Sequence, residues 1–185
     1  MEKSNLIISP KTKNYTLRGW RALYDFKHSD KNGNILWEDK AYNALTDEGE
    51  SAILDIIFRG ASAPSSFYFG LLTGASPVPA ETTTMSGINE VSNTGEGYAR
   101  IAVARNSTDF PTLALDSGDY QVSSLTKQFE NTDGVTSWDT AEYLMLTDTA
   151  SGSSGATFWA YVALSTPRTL APGDKLDVSL NVKLQ

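Results

Sequence analysis

The sequence predicts a mainly β protein: an antiparallel β-sandwich, jelly-roll-like, with one short α-helix and an N-terminal arm and hairpin. Three observations carry this. From Lys175 to Leu184 every even position is apolar and every odd position polar, the period of a half-buried antiparallel strand. The same alternation returns in several earlier segments, separated by Gly-, Pro-, Asn- and Ser-rich turns. Only one segment has helical spacing.

Taken in order, residues 1–14 read as an extended arm, polar apart from Leu6-Ile7-Ile8. Residues 15–185 are expected to form a single domain. Trp20, Ala22, Tyr24 and Phe26 alternate with Arg21, Leu23 and Asp25, and Ile35-Leu36-Trp37 resumes the pattern. Asn32-Gly33 between these runs predicts a β-hairpin over 17–40, with strands at 17–28 and 34–40. Thr46 or Asp47 can cap a helix over about 47–59, Asp47 and Glu50 have capping-box spacing, and Gly60 is a natural stop. Ile53, Ile56 and Ile57 would share its apolar face.

From Phe67 onward only strands and loops are expected. Strands are predicted at 67–73, 98–105, 120–129, 142–146, 158–164 and 174–184. Phe158 to Leu164 is apolar on both faces and belongs in a sheet centre, with Phe158 and Trp159 in the core. Residues 74–95 form a long connection with Pro77 and Pro79, a length that suggests a role or a neighbour that orders it.

Composition narrows the function. The chain has 185 residues, a net charge of −7 and a pI near 4.7. Scattered acidity argues against nucleic acid or an anionic membrane as partner, since both select clustered Lys and Arg. With no cysteine, disulfides, thiolate metal sites and a Cys nucleophile are excluded. Met1 to Pro10 has too short an apolar run for an export signal, so the sequons at Asn14 and Asn106 read as chance matches.

Catalytic patterns are sparse in the chain. His28 is the single histidine and reads as an exposed turn residue. Counting from His28, Gly33 has the glycine position of a calcium loop. The first ligand would be His and the twelfth Asp39, so a plain turn is the better reading. Asp116, Asp119, Asp133, Asp139, Glu142 and Asp148 could pair as in a glycosidase, but carboxylates near strand ends are ordinarily solvated. No enzyme activity, cofactor or metal is expected. Trp138, beside Asp139 in a polar stretch, together with Tyr120 and Tyr143, are the aromatics expected to be exposed for contact with a glycan or receptor.

Several segments then fall in a familiar order. They are Asn43 to Glu50, Phe67 to Thr73, Gly97-Tyr98-Ala99-Arg100, and Ala163 to Asp174. This order resembles a group of tailed-bacteriophage virion structural proteins, the tail-fibre-like, minor structural and head-decoration proteins. The likeness spans residues 43–184, with Arg168 where lysine is usual and Trp138 followed by Asp139 rather than a Gly-Thr pair. The hairpin at 17–40 lies outside it. The resemblance implies a structural role in the virion, without catalysis or cofactor, in contact with other virion proteins and in several identical copies. A capsid decoration (cement) protein is the leading expectation, because the chain has no fibrous repeat. A tail, neck or fibre-associated protein and a receptor- or glycan-binding module are the alternatives. Leu6, Ile7, Ile8, Pro77, Pro79 and Met85 are the expected assembly contacts.

Overall fold

A computed structural model describes residues 20–75, 77–91 and 97–184. Two antiparallel sheets face each other. The first runs β2 (Ile35–Tyr42), β1 (Trp20–Ser29), β11 (Lys175–Leu184), β7 (Asp119–Ser123), β6 (Thr112–Asp116), with β8 (Lys127–Glu130) also paired to β11. The second runs β3 (Ala44–Leu45), β10 (Phe158–Arg168), β9 (Ala141–Thr147), β4 (Ser66–Leu72), β5 (Ile101–Ala104). A helix, α1, spans Asp47–Phe58.

The alternation of β11 means what its period implies. Leu176, Val178 and Leu180 are buried and meet His28, Phe26 and Tyr24 of β1 across the ladder. Phe69, Leu71, Val103, Leu144, Val162 and Leu164 of the second sheet close the same core. Asp177, Ser179, Asn181 and Lys183 point the other way, into a polar outer face. The hairpin outside the family-like segment is therefore central: β1 lies between β2 and β11 and supplies Ala22, Tyr24 and Phe26 to the core.

The second sheet is apolar on both faces. Leu72, Met145 and Phe158 form a smaller cluster with Met85 on its far side. A register shift between Phe158 and Ala160 lets Phe158 join this cluster while Val162 and Leu164 face the main core. Helix α1 and the connection at 77–91 cover this side. The Thr46 hydroxyl caps α1 by accepting from Gly49 N at 3.1 Å, and donates to the Phe158 carbonyl of β10. Glu48 reaches Phe158 N at 2.9 Å and Met85 N at 3.3 Å, tying helix, strand and connection together.

Within the strands, the structure alters four expectations. His28 is not an exposed turn residue but the last core-facing residue of β1, 3% exposed, with Nε2 3.2 Å from Asp174 Oδ2. Strand 120–129 divides into β7 and β8, because Ser124 breaks the ladder: its N–H donates to Leu180 O and its hydroxyl accepts from Leu180 N. The strand expected from Tyr98 begins at Ile101, since Tyr98 and Arg100 are held by side-chain bonds described below. Strands β3 and β6 were not foreseen. The turn at 30–34 is a plain hairpin turn, with Asp30 Oδ1 accepting from the N–H groups of Asn32 and Asn34.

Candidate functional site

The expected contact residues separate into three groups. Leu6, Ile7 and Ile8 lie outside the described residues. Pro77 is exposed, but Pro79 is buried and Met85 is 2% exposed within the cluster of Leu72, Met145 and Phe158. Met85 is thus an internal closure of the second sheet, not a surface contact. The connection carrying it is laid along β4: Thr73 N donates to Asn89 O at 2.9 Å, and Val91 N to Leu71 O at 2.8 Å. An isolated apolar residue in a polar connection has no period, so its direction could not be read from the sequence.

Of the three aromatics expected at the surface, Tyr120 alone is well exposed, at 63%. Trp138 is buried, 3% exposed, and meets Tyr98 edge-on with ring centroids 5.3 Å apart. Its polar neighbours Ser137 and Asp139 point outward while its indole turns in, which corrects the expectation of an exposed ring. Tyr143 is half-buried against Tyr161.

The segments that look familiar in sequence are structural clamps. Gly97 has φ +78°, and after it Tyr98 accepts from Leu71 N and donates to Glu90 Oε1, both at 2.8 Å. Arg100 grips the same carboxylate with two bonds, at 2.9 and 2.7 Å, and donates to Thr149 O at 3.1 Å. Burial, with the Glu90 carboxylate beside it, pushes the Tyr98 phenol well above its ordinary range. In the turn before β11, Asp174 accepts from Ala171 N at 3.1 Å and faces His28. Asn131, fully buried, donates to the carbonyls of Thr136 and Leu170. The first motif pins the start of β5 onto β4, and the second fixes the entry of β11.

A comparison with known families adds an identification. Residues 44–183 match the family described as podophage GP4 fiber I protein gp80. The chain belongs to this fiber protein family. No curated protein and no solved structure matches it. The family segment begins at β3 and runs nearly to the end of β11, so it contains both clamps but not the β1–β2 hairpin. Membership makes the chain a structural component of a phage virion.

The surface of this family member offers two kinds of ground. The outer face of the β2–β1–β11 sheet is polar and internally neutralised. Lys40 lies 2.6 Å from Asp25, Lys27 lies 3.5 Å from Asp177, and Lys183 lies 3.0 Å from Asp116. The Asp25 carboxylate holds the Lys40 ammonium above its ordinary range, and Lys183 holds the Asp116 carboxyl below its own. A shallow depression of about 480 Å³ between Lys27, Lys40 and Asp177 is lined by these paired charges. Three of the carboxylates that could pair as in a glycosidase have other partners, Asp116 through Lys183 as above. Asp133 caps its own turn through Val135 N and Thr136 N, and Asp148 holds Thr157 N and the Trp159 indole. Among the described residues no group of three or more His, Asp or Glu could hold a metal ion.

The apolar ground is more selective. Leu54, Ile57 and Phe58 stand out from α1, which turns Gly49, Ile53 and Ile56 inward. Ile57 thus leaves the face it was expected to share with Ile53 and Ile56. In the larger sheet, β6 is exposed at all five residues, with Leu113 and Leu115 at 71% and 63%. Both clusters leave large apolar side chains in water.

Proposed function

We propose that this chain is a tail- or fibre-associated protein of the virion rather than a capsid decoration protein. The observation that carries this reading is the match of residues 44–183 to a fiber protein family. The fold is suited to it. A sandwich with a charge-paired outer sheet gives a stiff, soluble body, while exposed apolar residues on α1 and β6 supply contact points. We assign it no catalytic step. Its partners in this reading are neighbouring tail proteins and further copies of itself, met through protein–protein contacts. Trp138 is buried and Tyr143 half-buried against Tyr161, so they do not form an open glycan platform with Tyr120, which weakens the receptor-binding alternative.

Antibody raised against the purified protein, bound to intact particles and located by electron microscopy, tests the proposal. Label confined to the tail and its fibres is the expected result. Label spread over the head surface would restore the decoration reading and overturn this one.

A further inference from the structure

The β1–β2 turn carries chemistry of its own. Of the asparagines in the chain, Asn32 alone is followed by glycine. The Cβ of a following residue shields the backbone nitrogen from the asparagine amide, and Gly33 has none. Residues 31–34 are exposed, and a Cβ built on Gly33 would meet nothing within 4 Å, so no side chain crowds that nitrogen. Other asparagines are held differently. Asn106 Oδ1 accepts from the N–H groups of Thr108 and Asp109, each at 2.9 Å, Asn131 is fully buried, and Asn181 precedes the branched Val182 within β11.

We propose that Asn32 is a modification site: it deamidates through a cyclic imide with Gly33, and Asp30 is the latch that sets the rate. The Gly33 nitrogen, losing its proton, bonds to Asn32 Cγ; the Cγ–Nδ2 bond breaks and ammonia leaves. Water then opens the imide at either carbonyl, giving aspartate or a β-linked isoaspartate. Water is the co-reactant, and nothing is oxidised or reduced. In the folded turn the nitrogen is not free. Gly33 N donates to Asp30 O at 3.0 Å, while the Asp30 carboxylate accepts from Asn32 N at 2.8 Å, Asn34 N at 2.9 Å and Asn34 Nδ2 at 2.8 Å. The ring therefore closes only when this small network opens locally. Isoaspartate adds a backbone atom to a turn already bounded by a register shift between His28 and Ser29, and both products put a second carboxylate beside Asp30. The turn also leans on the entry of β11, because Lys31 Cβ lies 2.8 Å from where a Cβ on Gly173 would stand. Loosening at residues 30–34 thus reaches the clamp of Asp174 and His28. A virion protein is not replaced once assembled, so such a change accumulates.

Peptide mapping of the full chain, aged at mildly alkaline pH with and without urea, tests this. Deamidation and isoaspartate should appear first in the peptide holding Asn32, and at least about threefold faster in urea, where the latch is open. Asn32→Gln, whose longer side chain closes a ring far more slowly, should leave that peptide unmodified over the same period. Asp30→Ala should raise the rate in the native chain by about threefold or more and leave the urea rate unaltered. Earlier modification at another asparagine would overturn the site. Equal rates with and without urea, or a native Asp30→Ala rate equal to that of the unaltered chain, would overturn the latch. The comparison on the unaltered chain decides both points even where Asp30→Ala fails to fold.

Discussion

At the scale of single residues, two positions show tertiary contacts reversing an ordinary preference. Gly49 sits in the first half of α1, where alanine is normally better by about 1 kcal/mol. Here an added Cβ would collide with the Trp159 backbone carbonyl, because the helix is seated on β10 through this glycine. Gly49→Ala is expected to destabilise by about 1–3 kcal/mol, as overpacking does, measured by urea unfolding. Arg100 is the second. Its side chain is 3% exposed and its charge is met by Glu90 at 2.7 Å. Arg100→Ala strands a carboxylate that also holds Tyr98, and should cost about 3–5 kcal/mol by the same measurement. The sequence signalled neither role. Arginine in a strand-like run reads as a solvated face, and its partner lies ten positions earlier in a connection without periodicity. His28, read from the sequence as an exposed turn residue, is buried. It continues the even-numbered series Ala22, Tyr24, Phe26, and its polar neighbours after Ser29 obscured that alternation.

At the scale of elements, hairpins that carry their turn chemistry in two residues are the ones a sequence reveals. Asn32-Gly33 predicts β1 and β2, and Gly33 takes φ +84° as the turn demands. The β6–β7 turn hides because its pair is Ser117-Gly118, with φ +52° and +96°, and serine is an uncommon choice for that conformation. Ser117→Asn restores the favoured pair and should stabilise by about 0.5 kcal/mol, seen as a higher denaturation midpoint with an unchanged m value. Helix α1 was found from its cap and its isoleucines. Which isoleucines turn inward was not, since Gly49 rather than the centre of the apolar stripe sets the contact with β10. Among candidate contact residues, Trp138 and Met85 were misread for one reason: loops lack the period that fixes side-chain direction in strands and helices.

For the whole molecule, acidity has a cost at low pH whose sign is fixed. Asp109 accepts from Ala104 N at 2.6 Å and pairs with Lys127 at 2.9 Å. The Lys127 ammonium, with the Ala104 N–H, holds its carboxyl below the ordinary range, and Asp116 behaves likewise beside Lys183. A folded-state pKa below the unfolded one means that the unfolded chain binds the proton more readily. The stabilisation is present above about pH 4 and is lost as pH falls through the folded-state values. Urea midpoints should therefore decline from about pH 4 downward, and Asp109→Asn should flatten that decline while lowering stability at pH 7.

The β class, the single helix with its cap, the faces of β1 and β11, and membership among phage virion proteins can all be read along the chain. These rest on local periodicity and short motifs, which each segment carries within itself. Tertiary structure alone decided that the hairpin outside the family segment lies mid-sheet, and that the Gly-Tyr-Ala-Arg and Pro-Gly-Asp segments act as clamps. It alone decided which apolar residues remain outside. Whether a leucine in a strand is core or surface depends on whether a second sheet lies opposite. Leu113 and Leu176 have the same local pattern, but a second sheet covers Leu176 alone.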